Sequence, residues 1–89
     1  CSFMNNFILY GIDPENDIFY ISNTNPIIWS TNIDDSKLYY ARYPAEYNIL
    51  RDYDNYRAVS REIESGRLSG FYVAEIDDEN NIIEQNRIL

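Results

Sequence analysis

The chain has 89 residues, 15 acidic side chains against 7 basic ones, a net charge of −8 and no histidine; 45% of it is hydrophobic and 16% aromatic. This length and composition describe one small domain with a core of its own, and the charge argues against nucleic acid as a direct partner. The absent histidine excludes Ser-His and Cys-His nucleophilic sites and His-bearing metal centres, and the lone Cys1 excludes an internal disulfide.

Taken in order, Cys1-Ser2-Phe3 reads as a cloning scar ahead of a native start at Met4. No apolar run reaches membrane-spanning length and no secretory leader pattern opens the chain, so a cytoplasmic address without membrane contact is expected. Residues 7–12 and 18–22 are β-prone and enclose Asp13-Pro14-Glu15-Asn16-Asp17, whose Pro and Asn favour a turn; together they predict a hairpin. Neither strand alternates cleanly, so both sheet faces are partly covered or rings lie over one of them. A breaker cluster at 23–26 precedes a short strand over 27–31, in which Trp29 is a candidate core anchor. Residues 32–36 read as a loop or a single helical turn, and 38–42 as a further strand.

Pro44 then stands where a helix starts, since a first-turn residue needs no N–H partner. Ala45, Ile49, Tyr53, Tyr56, Val59 and Ile63 follow in helical steps, which assigns Tyr53 and Tyr56 to packing, and Gly66 is suited to a left-handed terminus. Asp52 objects, because an unbroken helix places it on the apolar stripe. The Asp52-Tyr53-Asp54-Asn55 sequence therefore predicts a break, with Asp52 or Asp54 capping a second helix; a continuous helix with Asp52 at its edge is the alternative. Residues 71–76 and 82–85 are the last two strands, joined by the acidic turn Asp77-Asp78-Glu79-Asn80-Asn81. The sum is an α+β fold: a mainly antiparallel sheet of four to five short strands with one long or broken helix packed on one face.

No motif supplies chemistry. Asp13-x-Glu15-x-Asp17 and Asp77-x-Glu79-x-Asn81 start like calcium loops, but Ile18 and Ile82 stand where the sharp glycine turn is needed and no bidentate Glu follows. No phosphate loop, nucleophile–base pair or cofactor motif is present, so the expectation is a non-enzyme with no metal or cofactor.

Charge distribution is more informative. Between Lys37 and Arg67, six basic residues face five acidic ones; the rest of the chain sets ten acids against Arg87 alone. Those acids concentrate in three turns: Asp13, Glu15 and Asp17; Asp34 and Asp35; Asp77, Asp78 and Glu79. Such an unbalanced surface steers toward a basic partner. Tyr39, Tyr40, Tyr43 and Tyr47 are too dense to be buried together, and exposed tyrosine beside arginine is a composition enriched at protein interfaces.

The layout of hairpin, Trp29-Ser30-Thr31, short acidic turn, aromatic strand and helix resembles small acidic proteins of phages and mobile elements, of the anti-CRISPR and anti-defence kind, as does the heavy use of Asn, Ile and Tyr. The resemblance implies a protein-binding inhibitor that occupies the nucleic-acid-binding surface of a host effector in the bacterial cytoplasm by charge mimicry. The contact residues expected from the three turns are Asp13, Glu15, Asp17, Asp34, Asp35, Asp77, Asp78 and Glu79, with Tyr39 and Tyr43 adding contact area. Two other classes stay open: a module sequestering a signalling nucleotide through Arg42, Arg51, Arg57 or Arg61, and a structural or assembly subunit. A homodimer is compatible with each.

Overall fold

In the computed structural model, which describes residues 5–89, the two seven-residue strands lie side by side in the middle of the sheet. They are β1 (Asn6–Ile12) and β4 (Gly70–Ile76), flanked by β2 (Ile18–Asn23) with β3 (Ile28–Ser30) on one side and β5 (Ile82–Arg87) on the other. The order is β3-β2-β1-β4-β5 and every pairing is antiparallel. Helices α1 (Arg42–Leu50) and α2 (Tyr53–Glu64) fill the connection between β3 and β4. The fold is α+β, as the element order predicts. The reading of residues 1–3 as a scar lies outside the described residues. Among the described residues no helix is long and apolar enough to cross a membrane.

Both sheet faces carry apolar clusters, which explains the poor alternation of the first hairpin. Leu9, Ile21, Phe71 and Val73 point to the helical layer and meet Ala45, Ile49 and Val59. Ile8, Tyr10, Ala74 and Ile76 form the second cluster, with Ile33, Tyr20 and Tyr72 packed around them. Tyr10 is fully buried, stacks on Tyr72 at 5.7 Å, meets Tyr20 edge-on at 6.0 Å, and donates its hydroxyl hydrogen to Gln85. On the helical face, Gly11 makes room for Leu68: a Cβ there would lie 2.6 Å from a Leu68 methyl.

The helix breaks where the acidic sequence predicts. Asp52 is the N-cap of α2, its Oδ1 accepting from the Asn55 backbone N–H at 3.1 Å. Its Oδ2 accepts from the Asn25 amide at 3.0 Å, and these two bonds, the Asn25 one foremost, hold the carboxyl below the usual range. Gly66 follows α2 in the left-handed conformation at φ 82°, also as expected. Pro44 is the third residue of α1 rather than the first; helix N–H groups have no intrahelical partner through the fourth position, so the same tolerance applies.

Two expectations need correction. Residues 38–42 form no strand: β2 leaves β1 open at Phe7, and Tyr39 fills the gap with a single bridge, two backbone hydrogen bonds of 2.9 Å. Tyr53 and Tyr56 are not packing residues. The break resets the helical phase, so Asn55 and Val59 turn inward while Tyr53 is 71% exposed and Tyr56 also faces solvent.

Burial raises the hydroxyl pKa of Tyr10, with Tyr20 and Tyr72 adding to it, and of Tyr39, each from 10.0 to about 12. The folded state thus holds these protons more tightly than the unfolded chain. The stability they contribute is complete below pH 10 and is lost between pH 10 and about 12. Phenolate absorbance should show a late-ionising component coupled to loss of the fold by circular dichroism, and Tyr10→Phe should shrink it. Late amplitude unchanged in that variant contradicts the assignment.

Candidate functional site

The two acidic hairpin turns are built alike. In the first, Asp13 Oδ1 accepts from the Glu15 and Asp17 N–H groups at 2.9 and 2.8 Å, and Asn16 takes a positive φ of 69°. In the second, Asp77 Oδ1 accepts from Glu79 and Asn81, both at 2.9 Å, and Asn80 takes 64°. Asparagine suits that left-handed position because its short polar side chain is tolerated there. One carboxylate in each turn is thus committed to the backbone, and the donors around Asp77, that of Asn81 foremost, hold its pKa below the ordinary value. Glu15, Asp17, Asp78 and Glu79 are left exposed.

These turns lie at opposite ends of the sheet. β1 and β4 run antiparallel, Asn6 opposite Ile76 and Ile12 opposite Gly70, so the turn after β1 and the turn after β4 are separated by the length of a strand, roughly 20 Å. The third acidic group joins the second. Asp34 and Asp35 form a 3₁₀ turn capped by Asn32, and the Asn80 amide donates to Asp34 Oδ1 at 2.9 Å across to the β4–β5 turn. One end of the sheet therefore carries Asp34, Asp77, Asp78 and Glu79, and the other carries Asp13, Glu15 and Asp17, while Asp35 turns to β3, its Oδ2 accepting from Ser30 Oγ at 2.6 Å.

Little positive charge meets the four-carboxylate end. Among the described residues ion pairs form at Arg42–Glu46, 2.8 Å, and Arg67–Glu62, 2.7 Å, both in the helical segment or just after it. Lys37, close in sequence to Asp35, turns instead to Thr24 Oγ1 at 2.8 Å and lies 5.4 Å from the centre of the Tyr39 ring. Arg87 is held by the carbonyls of Ser69 and Leu89.

The two tyrosines expected at a contact surface differ. Tyr39 is taken up by the fold: it is half-buried, its backbone bridges Phe7, and its hydroxyl donates to Asn48 Oδ1. Tyr43 is 71% exposed in the first turn of α1, its ring 5.8 Å from that of Tyr47; Tyr40 is equally open. The exposed rings lie in and beside the helical segment, where the arginines also concentrate.

At the Asp13 end the structure reveals a cleft that sequence reasoning missed. It has a volume of about 530 Å³ and is lined by Phe19, Trp29 and Leu68, with Asp13, Glu15, Glu62 and Arg67 around it. Trp29 is thus only half-buried; its ring meets Phe71 edge-on at 6.0 Å on one side and borders the cleft on the other. The signal in the sequence was faint: Phe19 and Trp29 occur on successive strands, but nothing local says that α2 ends before covering them. Arg42, Arg51, Arg57 and Arg61, the groups a nucleotide phosphate would need, do not line it. Asp13, Glu15 and Asp17 also bring carboxylate oxygens within 4.8 Å of one another at its margin. Comparison of the chain with protein-family models, with curated proteins and with solved structures returned no match.

Proposed function

We propose that this protein is an acidic, stoichiometric protein-binding inhibitor, of the anti-defence kind carried by phages and mobile elements. It occupies the basic nucleic-acid-binding surface of a host protein, and its carboxylates stand in for phosphates. The observation that carries this reading is the Asp34–Asn80 hydrogen bond, which joins Asp34 to the Asp77, Asp78 and Glu79 turn as one four-carboxylate end. No described basic side chain forms an ion pair there. Exposed charges of one sign steer encounter with an oppositely charged groove and set its salt sensitivity. The opposite turn, with Asp13, Glu15 and Asp17, cannot share the same flat contact, so the mimicry is assigned to one end of the sheet.

The test uses charge-neutral variants that leave the turns intact. Asp77 holds the β4–β5 turn, so the informative substitutions are Asp34→Asn, which keeps the acceptor for Asn80, together with Asp78→Asn and Glu79→Gln. Wild-type protein immobilised in nuclease-treated bacterial lysate should retain a nucleic-acid-binding protein that duplex DNA or high salt releases. Affinity of that captured protein for the triple variant should fall about 10- to 100-fold at low salt, with the gap closing as salt rises. Equal affinity for both proteins at every salt concentration would sink the proposal.

A further inference from the structure

We propose that the cleft at the Asp13 end is a specific pocket for an arginine side chain presented by a basic segment of the protein partner. This rests on the reading of the chain as a binder of a basic protein, and adds a second contact at the far end of the sheet.

The cleft exists because the helical layer is short. α2 ends at Glu64, and Gly66 turns the chain toward Leu68, which packs over Gly11. Phe19 and Trp29 project from β2 and β3 on the same face, past the end of α2, and are left half-exposed as walls. A groove of about 530 Å³ is within the size range of ligand sites and has room for one long side chain with its flanking backbone.

Its chemistry selects the occupant. An aromatic wall attracts a cation, tryptophan most strongly, and a planar guanidinium can stack on the ring while its stem covers apolar surface. At the rim, Glu62 is engaged twice by Arg67, Nε to Oε1 at 3.0 Å and a terminal nitrogen to Oε2 at 2.7 Å, so these two charges offset each other. That leaves Asp13 and Glu15. Asp13 spends Oδ1 on the turn, while its Oδ2 and the Glu15 carboxylate accept no hydrogen bond from the described residues. Carboxylates beside an indole match the forked donors of arginine better than the compact ammonium of lysine.

Trp29 is the sole tryptophan of the chain, so its fluorescence reports the cleft directly. The probe is a capped Gly-Gly-Arg-Gly-Gly peptide, with a citrulline twin that keeps the shape and removes the charge. The arginine peptide should give a saturable change with a Kd on the order of 1 mM, as expected for one anchoring side chain. The citrulline twin, and the arginine peptide with Glu15→Gln or Phe19→Ala, should each bind at least about 10-fold more weakly. The Asp34→Asn, Asp78→Asn, Glu79→Gln variant should bind the peptide like wild type, which separates this result from the fate of the four-carboxylate end. Equal responses to the two peptides overturn the proposal, as does a response to calcium chloride with none to the arginine peptide.

Discussion

Asn55→Ala should cost about 3 kcal/mol of stability, lowering the melting temperature by roughly 15 °C, although the residue is polar. The side chain is 1% exposed and makes three hydrogen bonds to two other elements. Its Nδ2 donates to Asn25 Oδ1 at 3.0 Å and to the Asn48 carbonyl at 2.9 Å, and its Oδ1 accepts from the Asn25 N–H at 3.0 Å. One amide thus ties the β2–β3 turn, the end of α1 and the start of α2. Truncation leaves an orphaned donor and two orphaned acceptors in a poorly hydrated site, and an unmade buried hydrogen bond costs more than a made one contributes. Urea unfolding followed by Trp29 fluorescence gives the number. A loss under about 1 kcal/mol would mean that water replaces the amide and that the three elements are held by packing alone.

Phe71→Ala should be more damaging, by about 4 kcal/mol, enough to leave much of the protein unfolded at physiological temperature. The ring is fully buried between the sheet and the helical layer, and its edge-on contact with Trp29 carries the core toward β3. Two backbone hydrogen bonds, from Ile88 N–H to the Phe71 carbonyl at 2.9 Å and from Phe71 N–H to the Leu89 carbonyl at 3.1 Å, do not depend on the ring. The loss is therefore a cavity and transfer effect. Phe71→Leu, which refills most of the space, should cost about 1–2 kcal/mol by the same measurement, and equal losses for the two variants would contradict a packing origin.

What was legible in the chain follows the range of the forces. The paired turns, the capping Asp52 and the terminal Gly66 are decided within a few residues by side-chain-to-backbone bonds or by the left-handed conformation, and the sequence points to each. Misreadings arise where a distant segment decides. Tyr53 and Tyr56 fit a helical stripe on paper, but the break rotates α2 so that a polar residue, Asn55, takes the buried position because Asn25 waits there. Tyr39 looks like a surface contact and instead completes an edge that β2 leaves open beside Phe7. The grouping of the acidic turns, two at one end and one at the other, depends on the antiparallel pairing of β1 with β4, which no local pattern specifies.

That central pairing also governs how the molecule forms. β1 has β2 as a sequence neighbour on one side, but its other partner, β4, is made only after both helices. Each hairpin can close around its own asparagine turn within microseconds, yet none alone encloses a core. The slow step is expected to be the zippering of Asn6 through Ile12 onto Gly70 through Ile76, which must first overcome the entropy of closing the long intervening loop. During synthesis, then, β1 waits with one edge open until β4 leaves the ribosome, and the folding rate should respond to substitutions along that seam more than to changes in the exposed helical tyrosines.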